Sequence, residues 1–216
     1  MDLAAFQRDG ALRITGLFDV ARLERLRALP VDGAGVRLQD PQLPELIAPA
    51  TAAASELLGA AARPVRAVLF DKTPAANWAV AWHQDRTIPV RERVQADGFG
   101  PWSRKGGLLH VAPPIAILQA MATLRIHIDP VDPDNAPLRV ALGSHRLGVA
   151  AAAEAAALAG QHVQIECLAE PGDVWAYSTP ILHASERARA ASRRRVLQVD
   201  YAAQDLPGGL VWAGVG

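Results

Sequence analysis

The chain holds a single cysteine, Cys167, so it cannot form an internal disulfide, and a reducing, cytoplasmic setting is expected. Net charge is absent too, because twenty-two basic residues offset twenty-two acidic ones. That balance supplies no field to draw in nucleic acid or an anionic membrane, and neither is expected as a partner. The one concentrated basic stretch, ASRRRVLQVDY, is too short to alter this. The opening MDLAAFQRDG lacks the basic-then-apolar layout of a secretory leader. No apolar run makes a good membrane span: His110, Pro113, Pro114 and Gln119 interrupt the longest charge-free stretch, residues 106 to 124. Internal repeats and linkers are missing, and no residue pattern fixes an oligomeric state. What is present is 216 residues, half of them hydrophobic. That is enough for one substantial core, read as a single domain over residues 1 to 216.

The first sixty residues read as helix with one interruption. In VARLERLRAL, Val20, Leu23, Leu26 and Leu29 recur three apart as one apolar stripe, with Asp19 as N-cap. ALRIT reads as a short strand, and TAAASELLG as a second helix with Pro49 near its first turn and Gly59 as its stop. From Pro64 the texture changes to short β-rich runs: VRAVLFDK, NWAVAWHQD, LQAMATLRIHID, LRVAL, HVQIECL, GDVWAYS, PILHAS and RRRVLQVDYA. Turn clusters such as DPVDPDNAP and EPGD separate them, as in an antiparallel sandwich or barrel. VAAAAEAAALAG reads as a short helix ended by Gly160. Residues 86 to 114 show no clear periodicity and read as a long lid or binding loop.

Chemistry concentrates in two places. In WAVAWHQDRTI, side chains on a strand alternate faces, so His83 and Asp85 point one way and Gln84 the other. A nitrogen and an oxygen ligand on one face, joined by a third ligand from another strand, would make the two-histidine, one-carboxylate set of non-heme Fe(II) oxygenases. Taken alone, His-x-Asp equally describes a hydrogen-bonded pair at a strand end. The second place is TPILHASERARAASRRRVLQVDY: His183 ends an apolar run, Ser185 follows two residues on, and residues 193 to 195 are arginines. One arginine fork could grip a carboxylate in bidentate fashion with a serine hydroxyl beside it.

These segments, with the FQRDGALRITGLFDVARLERLRAL opening, DPDNAPLRVALGSHRLG and PGDVWAYSTPILHAS, resemble in order and over nearly the whole chain the phytanoyl-CoA dioxygenase family of Fe(II)- and 2-oxoglutarate-dependent oxygenases. The resemblance implies a mainly β fold with flanking helices: a double-stranded β-helix, the cupin-like jelly-roll barrel. It implies that His83, Asp85 and His183 hold Fe(II). Arg194, eleven positions beyond the distal histidine, and Ser185 would bind the 2-oxoglutarate carboxylate. Lys72 and Thr123 are further co-substrate candidates, and Trp102 and Arg125 are candidates for contact with a small-molecule substrate. Dioxygen would be the second co-substrate.

Alternation on the last strand raises a competing expectation. If the lumen takes the more apolar set, Leu197, Val199 and Tyr201, then Arg193 or Arg195 points inward instead of Arg194. Lys72 equally suits a surface strand end, and the face carrying Thr123, Arg125 and His127 either lines the cavity or meets solvent. Two departures touch turns: Asn135-Ala136 stands where the family often has Asn-Gly, and residues 141 to 145 read ALGSH where it often has Pro-Gly-Ser-His. Related halogenases replace the carboxylate ligand with a small residue, so Asp85 favours hydroxylation, or a desaturation or ring-forming variant. A Zn or Mn hydrolase or isomerase on the same barrel, and a silent binding module, are the rival readings.

Overall fold

The computed structural model describes residues 1–30, 33–189 and 193–216. Its strands are β1 (Ala11–Ile14), β2 (Gly35–Arg37), β3 (Arg63–Lys72), β4 (Val80–His83), β5 (Ile88–Val90), β6 (Trp102–Lys105), β7 (Leu108–Val111), β8 (Met121–His127), β9 (Leu138–Ala141), β10 (Gln164–Glu166), β11 (Val174–Ser178), β12 (His183–Ser185) and β13 (Arg194–Ala202). The helices are α1 (Leu3–Asp9), α2 (Val20–Arg27), α3 (Leu43–Leu46), α4 (Ala48–Leu58), α5 (Ile115–Gln119) and α6 (Ala155–Ala159). Among the described residues no helix is long and apolar enough to cross a membrane.

Two antiparallel sheets form the walls of a jelly-roll barrel, the double-stranded β-helix. The major sheet runs β1-β11-β8-β13-β3-β2 and the minor sheet β10-β9-β12-β4. Strand alternation sorts the side chains. On β8, Leu124 and Ile126 turn outward, and on β13 Leu197, Val199 and Tyr201 do the same, into a core shared with Leu23, Leu26, Ile47 and Ala54 of the helical layer. That layer settles which face is apolar: the helices take the hydrophobic set and the polar set is left to the lumen.

α2 starts as its sequence dictates, with Asp19 Oδ1 accepting from the Arg22 amide at 2.7 Å. Its stripe begins one turn late, because Leu23 and Leu26 are buried while Val20 is 72% exposed. α4 carries Pro49 in its first turn and stops at Gly59, whose amide donates to the Ser55 carbonyl. α6 is shorter than the alanine run and ends at Gly160.

The structure corrects two expectations. Residues 35 to 37 form an edge strand of the major sheet, not part of a helical stretch, with Arg37 opposite Val68. Residues 86 to 114 are not a structureless loop: they hold a third sheet, β5-β7-β6. Ile88, Val90 and Val111 there pack with Leu206, Leu210 and Trp212 from the C-terminal segment. The charged run RERVQADG, between β5 and β6, masks that alternation in the sequence. The segment between His183 and the arginine strand includes residues 190 to 192, which lie outside the described residues.

Candidate active site

His183 on β12 pairs in register with His83 on β4, bringing the two imidazoles to 4.3 Å between ring centroids. One ligand atom from each of His83, Asp85 and His183 lies within 4.8 Å of the others. β4 ends at His83, so the Asp85 carboxylate stands just past the strand end, yet it lines the same cavity as both histidines. Gln84 points the other way. Its amide nitrogen donates to the carbonyls of Gly148 (2.9 Å) and Pro180 (2.8 Å), and its oxygen accepts from the Ala150 amide at 2.9 Å. This clamp fixes the backbone that carries the other two.

Each histidine is oriented by its own strand. Nδ1 of His83 lies 2.8 Å from the Ala81 carbonyl, and Nδ1 of His183 lies 2.9 Å from that of Ile181. A carbonyl only accepts, so both Nδ1 atoms are protonated and both Nε2 lone pairs are free. Burial, with His83 beside it, holds His183 down at about 4, so its ring is neutral near pH 7. Burial pushes Asp85 upward, but the Arg66 guanidinium, the largest opposing influence, more than offsets this and keeps the carboxyl well below the usual range. Its Oδ2 accepts from Arg66 (3.0 Å) and Gln198 (3.2 Å). Oδ1 accepts no hydrogen bond among the described residues. Arg66 also pairs through Nε with Asp200, which accepts from Thr123 at 3.0 Å. Two imidazoles whose Nδ1 atoms are held by backbone carbonyls, with a carboxylate that has one free oxygen, make a donor set that fits a divalent cation such as Fe(II).

The cavity beside these ligands has a volume of about 250 Å³. Arg194 enters it from β13, on the face of Val196, Gln198 and Asp200. Its neighbours are claimed elsewhere: Arg195 by Asp129 (2.8 Å) and Arg193 by Asp71 (2.7 Å). The more apolar set therefore does not face the lumen, and the spacing argument for Arg194 identifies the inward arginine. Arg194 donates to the Ala136 carbonyl, while its Nε is buried with no partner. Lys72 is buried rather than at the surface, donating to Ser185 Oγ (3.1 Å) and the Glu186 carbonyl (2.7 Å). Burial, then Arg194 and Arg125, bring Lys72 down to about 8. Ala136 adopts φ 61° where glycine is favoured, matching the position where the Asn-Gly pattern is broken.

Arg125 lines the cavity and donates to Gln198 Oε1 at 2.7 Å, so the face carrying Thr123, Arg125 and His127 turns inward, not to solvent. Thr123 is buried against Asp200 and Thr179 and is not among the lining residues. Trp102 does not line the cavity either. It packs in the β5-β7-β6 cluster, with the Arg93 guanidinium 5.4 Å from its ring centroid. Trp78 lines the cavity instead, 5.2 Å from Lys72 Nζ. Sequence reasoning missed Arg66, Gln198 and Arg37. For Arg66 the signal was there: in VRAVLFDK, residues 66, 68, 70 and 72 share one face, and that face is the lumen.

A jelly-roll barrel with two histidines and one carboxylate at a cavity backed by a buried arginine defines a class, the cupin-like metal-dependent oxygenases. The family model for phytanoyl-CoA dioxygenase (PhyH) matches residues 6–196, and the chain belongs to that family of non-heme Fe(II)- and 2-oxoglutarate-dependent enzymes. No curated protein matches the chain. Among solved structures it is similar to AviO1 from Streptomyces viridochromogenes Tue57, with 20% identity, TM-score 0.66, and 93% of this chain and 92% of that chain covered. It is also similar to the non-heme alpha ketoglutarate dependent carbocyclase SnoK from nogalamycin biosynthesis (17% identity, TM-score 0.68, 92% and 81% covered). A third likeness is to EctD from S. alaskensis, solved with 2-oxoglutarate and 5-hydroxyectoine (19% identity, TM-score 0.63, 93% and 74% covered).

Proposed function

We propose that residues 1 to 216 form one domain that hydroxylates, or otherwise oxidises, an unactivated C–H bond of a small molecule, with 2-oxoglutarate converted to succinate and CO2. The observation that carries this reading is the convergence of His83, Asp85 and His183 beside a cavity that also holds Arg194. Those three residues would hold Fe(II) through both Nε2 atoms and the free Asp85 oxygen. When bound, the iron with 2-oxoglutarate and dioxygen supplies the oxidising power.

The protein's own groups bind and orient. Arg194 and Lys72, the latter bonded to Ser185, offer a charged, desolvated seat for the far carboxylate of the co-substrate. Arg125, held by the same Gln198 that donates to Asp85, would meet the substrate beside the ligands. Thr123 acts from behind, as a positioning residue that fixes Asp200 and through it Arg66.

Succinate formation tests the reading. Fe(II)-supplemented protein in air is expected to convert 2-oxoglutarate to succinate, and Asp85→Ala to lose that conversion. An Asp85→Ala protein that keeps wild-type succinate release overturns the ligand assignment. A wild-type protein that never consumes 2-oxoglutarate overturns the oxygenase reading.

A further inference from the structure

The cavity carries more positive charge than the proposed chemistry uses. Six cationic side chains line it, against one lining carboxylate, Asp85, with Asp200 behind Arg66. The charges of a divalent metal and a 2-oxoglutarate dianion cancel, so an excess of about four positive charges remains. Arg66 is matched by its two carboxylates, Arg125 donates to Gln198, and Lys72 and Arg194 are claimed by the co-substrate.

Arg37 and Lys105 are left over. Arg37 sits on the edge strand β2 opposite Val68, and its Nε is buried without a hydrogen-bond partner among the described residues. No carboxylate pairs with it among the described residues. Burial and the nearby Arg66 both work against its charge, and the attraction of Asp85 offsets this only in part. Lys105 comes from the β6–β7 hairpin, and among the described residues its Nζ finds only the Thr87 hydroxyl at 3.0 Å. The two are brought together at the hairpin tip: a Cβ on Gly106 would come within 2.9 Å of Arg37 Cδ, and at φ +53° this position favours glycine. A second hollow of about 400 Å³ shares His83, Asp85 and Lys105 with the main cavity as lining, so the lysine borders both spaces.

We propose that Arg37 and Lys105 form an oxyanion subsite for the substrate, which therefore carries a carboxylate or phosphate group that docks there while its reacting carbon faces the metal ligands. This assignment rests on the oxygenase reading above and narrows its substrate to anionic small molecules. A guanidinium fork and an ammonium on separate elements suit a group with two or more acceptor oxygens.

The test uses the full chain loaded with redox-silent Zn(II) and saturated with 2-oxoglutarate, so that the Arg194 seat is filled. Benzoate, phenyl phosphate and neutral benzamide are titrated by ligand-observed NMR. Both anions are expected to bind, and benzamide about tenfold more weakly or worse. The tighter of the two anions identifies carboxylate or phosphate as the preferred group. Arg37→Gln and Lys105→Gln should each weaken the anions about tenfold. Arg104→Gln, an exposed change on the same hairpin that does not line the cavity, should leave them unchanged. Benzamide binding as well as benzoate, neither anion binding, or wild-type anion affinity in both Arg37→Gln and Lys105→Gln overturns the subsite. Failure to take up Zn(II) and 2-oxoglutarate instead sinks the oxygenase reading, and the same anion titrations on the metal-free chain still decide the role of Arg37.

Discussion

Replacing Arg66 with methionine removes a guanidinium that touches both Asp85 and Asp200. The Arg66 and Asp200 side chains are 6% and 2% exposed, so water does not screen the charge left behind. Asp200 then either stays ionised without a partner, costing about 3–5 kcal/mol, or takes up a proton. At pH 7, protonation lies about three units above the ordinary aspartate value, and at 1.36 kcal/mol per unit this comes to about 4 kcal/mol. Burial and the neighbouring Asp85 already raise Asp200 in the wild type, which makes that figure an upper bound. For a chain of this size the loss lowers Tm by about 8–16 °C. The sign with pH follows: protonating Asp200 becomes easier on acidification, so the deficit narrows toward about 1.5 kcal/mol at pH 5. Calorimetric melts of metal-free wild type and Arg66→Met at pH 7 and pH 5 measure both effects. A drop under about 3 °C at pH 7, or a deficit that does not shrink at pH 5, refutes the reasoning.

Three further outcomes are expected. Affinity for 2-oxoglutarate should fall above about pH 8, where free Lys72 loses its charge and binding must take up a proton. Calorimetric titrations from pH 7 to pH 9 should find this slope absent in Lys72→Met, and a slope that persists there contradicts the role of Lys72. Gln84→Leu leaves three backbone groups of its clamp unpaired and should cost about 3 kcal/mol in urea unfolding; a change below about 1 kcal/mol would show the clamp to be unimportant. Ala136→Gly relieves a left-handed residue and should stabilise the chain by about 0.5–1 kcal/mol in the same assay, against a loss if the φ of 61° is unstrained.

The candidate ligands and the candidate co-substrate strand were legible through ordered motifs that resemble the family, and strand alternation accounted for the side that the first two share. His83 and Asp85 share a side, and Gln84 opposes them, as a period of two requires. Choosing between Arg194 and Arg195 was harder, since it depends on which face the helices cover, and that is a tertiary fact absent from the strand itself. Edge strand β2 went unseen because AGVRLQD offers only three residues of strand between Gly and Asp, and its pairing with β3 is non-local. Arg37 was missed with it. Trp102 looked like a substrate contact only while residues 86 to 114 looked like a loop; once those residues pair as a sheet, its ring is needed for packing.

Metal stoichiometry tests the central claim most directly. Equilibrium dialysis of the wild-type chain against Fe(II) without oxygen should give one ion per chain, and His183→Ala, which removes the ligand from the second strand, should retain far less. An iron content in His183→Ala equal to that of the wild type would contradict the account.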